Sequence, residues 1–162
     1  MVKMKENGLA SRGFTLIELL VVIAIIGLLA AVVLASVGSA RNKGADASIK
    51  SQMNAARSQA ELYAANNGNK YYTAAATNVC VATQALNGFA SILLNAASSI
   101  NGATVLGVNV GQTAGNVACS AAATTWAASA PLTTSGRFWC VDSSGNAKET
   151  ATLLSASALA CP

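Results

Sequence analysis

FTLIELLVVIAIIGLLAAVVLASV, residues 14–37, decides how the rest of the chain is read. Glu18 is its single charge, and residues 19–35 form an unbroken run of 17 apolar or glycine residues. At about 1.5 Å of rise per residue that run covers about 25 Å as a helix, and its flanks extend it to the depth of a bilayer core. Upstream, residues 1–13 are short, polar and positively biased, and they end Ala10-Ser11-Arg12-Gly13. They read as a leader.

Downstream, the helical pattern continues past the apolar run. Ile49, Met53, Ala56, Ala60 and Tyr63 recur at i, i+4, i+7, i+11 and i+14, while Lys50, Gln52, Arg57 and Glu61 take the opposite face. Asn66-Asn67-Gly68-Asn69 is a stop signal. The spacing therefore predicts one helix over residues 14–66, greasy all round in its first half and amphipathic in its second. Residues 70–162 are mixed. Ala82, Leu86, Phe89, Leu93, Ala97 and Ile100 mark a second, shorter helix. Strand-like segments follow at residues 105–110, 117–121, 125–129 and 137–141, and the turn Asp142-Ser143-Ser144-Gly145-Asn146 leads into 147–151. The expected sheet is small, antiparallel and of three or four strands.

Composition narrows the function. Of 162 residues, ten are basic and six acidic, and Lys3, Lys5, Arg12 and Glu6 supply half of the net charge of +4. A trimmed chain at +2 is too weakly basic for nucleic-acid binding to be argued from charge. The chain has no histidine, which removes the commonest general base, triad member and metal ligand, and it reads as a non-enzyme without cofactor. Cys80, Cys119, Cys140 and Cys161 are widely spaced, with no CxxC pair. Four cysteines in this pattern suggest two disulfides and a compartment outside the reducing cytosol, and three pairings are open.

Gly13-Phe14-Thr15-Leu16-Ile17-Glu18 followed by LLVVIAIIGLLAA resembles the N-terminal signature of type IV prepilins and pseudopilins. The resemblance implies an α+β fold with a long N-terminal helix packed on a small antiparallel sheet. Its parts would be a leader over 1–13, a long helix over 14–69 and a globular head over 70–162. It implies that a membrane peptidase, which also methylates, cuts after Gly13 and N-methylates Phe14. It further implies residence in the cytoplasmic membrane as precursor, then self-assembly into an extracellular filament with a separate platform and motor. Glu18 would pair with the Phe14 amine of a neighbouring subunit. That role suits its chemistry, since an unpartnered carboxylate costs about 2.5 to 3.5 kcal/mol at the centre of a membrane helix. The competing reading places Glu18 at headgroup level. The resemblance also implies Cys140 with Cys161, the pair that closes the terminal loop, which leaves Cys80 with Cys119.

Two other readings compete with a filament subunit. An ordinary signal peptide cut near Gly38-Ser39-Ala40 would release a secreted binding domain, and a plain anchor would hold the same domain on the membrane. Against the first, the apolar run exceeds the usual length and Glu18 interrupts it. The sequence also departs from many major pilins, which have proline at the place of Ala35, where the helix can unwind. Three further motifs read as structure. The 142–146 turn has too few carboxylates for calcium, Phe138, Trp139 and Trp126 suit packing better than base stacking, and no Asn-X-Ser/Thr sequon occurs.

Overall fold

The computed structural model describes residues 13–74, 77–81, 90–98 and 105–162. The chain divides into two units, Met1–Ser39 and Ala40–Pro162. One helix, α1 (Leu16–Asn66, 51 residues), crosses that division. It runs through Gly27, Gly38 and Gly44 without a break, because no proline removes a backbone donor along its length.

In the first unit α1 has no buried side. Leu16, Ile17, Leu20, Ile23, Ile26 and Leu29 are all more than half exposed, so every face offers apolar surface. Near its end the Ser36 hydroxyl donates back to the carbonyls of Val32 and Val33, at 3.2 and 3.0 Å. A polar side chain is thus satisfied within an apolar segment.

In the second unit α1 is amphipathic. Ile49, Met53, Ala56 and Ala60 are fully buried and Tyr63 is 2% exposed, the stripe that the spacing predicts. These side chains share one core cluster with α2 and the sheet, and Ile49 and Met53 contribute about 1.5 to 3 kcal/mol each by burial. The helix stops because Gly68 and Asn69 both take left-handed conformations, at φ 65° and 59°. Asn69 N–H then returns to the Ala64 carbonyl at 2.8 Å, and the Asn67 amide closes on the Tyr63 carbonyl at 2.8 Å.

A short antiparallel ribbon follows, β1 (Tyr72–Ala74) with β2 (Thr77–Asn78). Helix α2 (Ala90–Ser98) buries Ile92, Leu93 and Ala96 in the core. Of the stripe predicted for this helix, Ala82, Leu86, Phe89 and Ile100 lie outside the described residues.

The main sheet has the order β3 (Val105–Val108), β4 (Val117–Ala121), β5 (Trp126–Pro131), β6 (Phe138–Asp142) and β7 (Ala147–Thr150). Strands β4 to β7 are a four-stranded antiparallel meander, and with α1 they make the α+β arrangement that the sequence predicts. Beyond these four, β3 joins the sheet edge parallel to β4, so the whole sheet has five strands and is mixed. The cause lies in residues 109–116, which turn the chain back to the start of β4. Asn109 ends β3 at φ 62°, its N–H reaching the Cys119 carbonyl and its Oδ1 accepting from Ala121 N–H.

Both faces of the sheet are covered. Val117, Cys119, Trp126, Ala128 and Val141 pack with α1, α2 and Val79 in the main core. On the other face Ala118, Ala127 and Cys140 pack against Leu154, Ala158 and Cys161 of the C-terminal tail. Small side chains on that face let an irregular tail lie close. Gln112 pins its start: the backbone N–H reaches Leu154 O at 2.8 Å, and Oε1 accepts from Leu154 N–H at 3.1 Å. The sequence reading did not recognise the tail as a packing element.

Candidate functional site

The leading site is the junction just ahead of α1. Gly13, Phe14 and Thr15 have no regular secondary structure. Gly13 is open on its side-chain face, and Phe14 is 83% exposed. The Gly13–Phe14 peptide bond therefore lies in exposed, non-helical backbone.

What holds this junction out of the helix is a reciprocal cap. Thr15 Oγ1 accepts from the Glu18 N–H at 3.2 Å, and Glu18 Oε2 accepts from the Thr15 N–H at 3.0 Å. The Thr15 hydroxyl also donates to Glu18 Oε2 at 2.9 Å. This capping box satisfies orphan donors at the start of α1, and the carboxylate lies at the end of the helix dipole that favours negative charge. Thr15 is the functional residue that the sequence reading missed. The Thr-x-x-Glu spacing ahead of an apolar run is the available signal for it, whereas the sequence reading weighs Glu18 for an intermolecular partner or a place at headgroup level and not for a cap. Both cap residues lie on the C-terminal side of the Gly13–Phe14 bond.

The four cysteines form two disulfides, Cys80–Cys119 and Cys140–Cys161, with Cα separations of 5.9 and 5.7 Å. The first ties the segment after β2 to β4, and the second ties the tail to β6. Beside the second, Asp142 is 1% exposed. Its carboxylate accepts from the backbone N–H groups of Ser144, Asn146 and Cys161 and from the Asn146 amide, at 2.8 to 3.1 Å. Burial pushes this carboxyl up, but the bonds from Cys161, Asn146 and Ser144 outweigh it and hold Asp142 below its ordinary value. A carboxylate filled by N–H donors is not presented to a cation. Among the described residues no three His, Cys, Asp or Glu side chains gather as a metal cluster.

The aromatic residues are likewise committed to packing. Trp126 is fully buried with Tyr71 edge-on at 6.3 Å, Phe138 is 3% exposed, and the Lys50 ammonium lies 5.0 Å from the Trp139 ring centroid. Lys50 and Arg137 both pair with Glu149, at 3.2 and 2.8 Å. These contacts leave no stacked aromatic surface for nucleic-acid bases among these residues.

Helix α1 is long and apolar enough at its N-terminal end to cross a membrane. Residues 9–34 match the prokaryotic N-terminal methylation motif, the type IV prepilin-like signature. The match ends within α1 and does not reach the head. The chain has no match among curated proteins or among solved structures.

Proposed function

We propose that this chain is the precursor of a type IV pilin-like structural subunit, cut between Gly13 and Phe14, methylated on the Phe14 amine and polymerised through α1. The observation that carries the reading is the methylation motif over residues 9–34, whose predicted cleavage bond lies in exposed, non-helical backbone before an apolar helix. A motif of this kind supports a membrane-anchored precursor with a structural role.

Before assembly the apolar half of α1 sits in the cytoplasmic membrane. Once it leaves lipid, its exposed leucines and isoleucines find cover only against one another, at about 1.5 to 3 kcal/mol for each fully buried side chain. Between lipid and filament the choice is made by packing and polar pairing, because lipid is as apolar as leucine. Glu18 supplies such a pairing with the Phe14 amine of the next subunit. The peptidase and methyltransferase, the platform and the motor are separate proteins.

Replacing Gly13 tests the reading, because among the described residues nothing touches its side-chain position. Gly13→Leu is expected to leave a full-length precursor in the membrane fraction and no sheared filaments. Normal trimming of that variant would contradict the proposed peptidase.

A further inference from the structure

Strand β4 pairs with β5 so that Ala118 stands opposite Ser129 and Ser120 opposite Ala127. Alternation along each strand puts all four side chains on one face, the face on which Ala118 and Ala127 pack with Leu154 of the C-terminal tail. They make a square tile with serine at two diagonal corners and alanine at the other two. All four residues are fully buried. Among the described residues, neither the Ser120 Oγ nor the Ser129 Oγ has a hydrogen-bond partner.

A buried hydroxyl left unanswered lowers the folded-to-unfolded ratio about tenfold, and two such groups on one tile point to a shared ligand. Diagonal neighbours on a sheet face stand about 7 to 8 Å apart, somewhat less between Cβ atoms. The two hydroxyls do not reach each other, but one oxygen bonded to both at about 2.8 Å bridges about 5 Å. The alanine corners carry only methyl groups, and the tail adds the small side chains of Ala158 and Cys161, so the ligand is small. Charge excludes an ion. Asp142, opposite Ala127 on β6, is filled by the N–H donors of Ser144, Asn146 and Cys161. It has no oxygen to turn toward a cation, and its charge repels an anion. A small neutral molecule that both donates and accepts is water, and a polar buried layer holds water where an apolar one stays dry.

We propose that one ordered water lies between the sheet and the C-terminal tail, held by the hydroxyls of Ser120 and Ser129. The tail is then seated on bound water as well as by the Cys140–Cys161 disulfide and the bonds to Gln112 and Asp142. The site does not depend on the filament reading.

The test uses the full chain in detergent. Oxygen-17 relaxation dispersion of the solvent is expected to show one more long-lived water in the wild type than in the Ser120→Ala/Ser129→Ala double variant. Denaturant unfolding of the head, followed by tryptophan fluorescence, supplies the second readout. Each single variant is expected to lower the folded-to-unfolded ratio about five- to tenfold, because it leaves the water or the other hydroxyl unanswered. The double variant removes both partners together, so its loss should be smaller than the product of the two single losses. The proposal is overturned if the relaxation dispersion is the same in wild type and double variant. It is equally overturned if either single variant is as stable as wild type or more so, the result for a dry layer, or if the single losses multiply in the double.

Discussion

Glu18 is asked to serve its own helix and a neighbouring subunit with one carboxylate. Thr15 engages Oε2, and Oε1 accepts no hydrogen bond among the described residues, so a second donor can be met without breaking the cap. Substitution separates the two jobs. Glu18→Gln keeps a capping acceptor, since glutamine serves in the same box, but it loses the charge that would meet the Phe14 amine. Thr15→Val keeps the charge and loses the cap, at about 1 kcal/mol. All these variants, and Glu18→Ala, are expected to reach the membrane fraction at wild-type abundance, because each leaves the apolar run intact and loss of the Glu18 charge only favours lipid. Filament yield should fall in Glu18→Gln as in Glu18→Ala, since stripping one half of a buried pair costs about 3 to 5 kcal/mol, or more than about a hundredfold per addition step. Wild-type filament yield in Glu18→Gln would leave capping as the whole role of Glu18. Three of the four residues at this junction stand out in the sequence. Gly13, Phe14 and Glu18 stand in a recognisable order, whereas Thr15 drew no attention because threonine is common and its cap is a local event.

Among the elements, α1 was legible because each of its boundaries is local chemistry: the Thr15 cap, the apolar run, the stripe from Ile49 to Tyr63, and the left-handed Gly68-Asn69 stop. The parallel β3, the β1–β2 ribbon and the packed tail were not. Two- and three-residue strands carry no periodicity, and an alanine- and serine-rich tail shows which face it covers only once its distant partners, Gln112 and Asp142, are in place. Asp142 also makes the tail sensitive to acid. Its carboxyl is held below its ordinary value of 3.8, so its contribution is complete above that ordinary value and is lost as pH falls through the lower folded value. Asp142→Asn is expected to cost about 2 to 3 kcal/mol at neutral pH by turning amide donors toward backbone donors. The gap in thermal midpoint between wild type and Asp142→Asn should narrow below about pH 4. A gap that stays constant from neutral to pH 3 would show that the carboxylate charge is not what holds the tail. Glu149, held down by the Arg137 hydrogen bond and then by Lys50, titrates in the same direction, and Glu149→Gln serves as the background for the comparison.

At the scale of the whole molecule, the apolar half of α1 buries none of its large side chains among the described residues, whereas the unit Ala40–Pro162 has a buried core and two disulfides. A helix with every face apolar and exposed needs either lipid or other copies of itself, and the filament reading supplies both in turn. The secreted-domain reading supplies neither and discards the helix instead. The mass of the N-terminal peptide of the mature chain, recovered from sheared surface filaments and from membranes, separates these accounts most directly. The expected peptide begins at Phe14 and is about 14 Da heavier than its unmodified sequence, as one methyl group requires. A mature chain beginning at Arg41, or one retaining residues 1–13, would contradict the account.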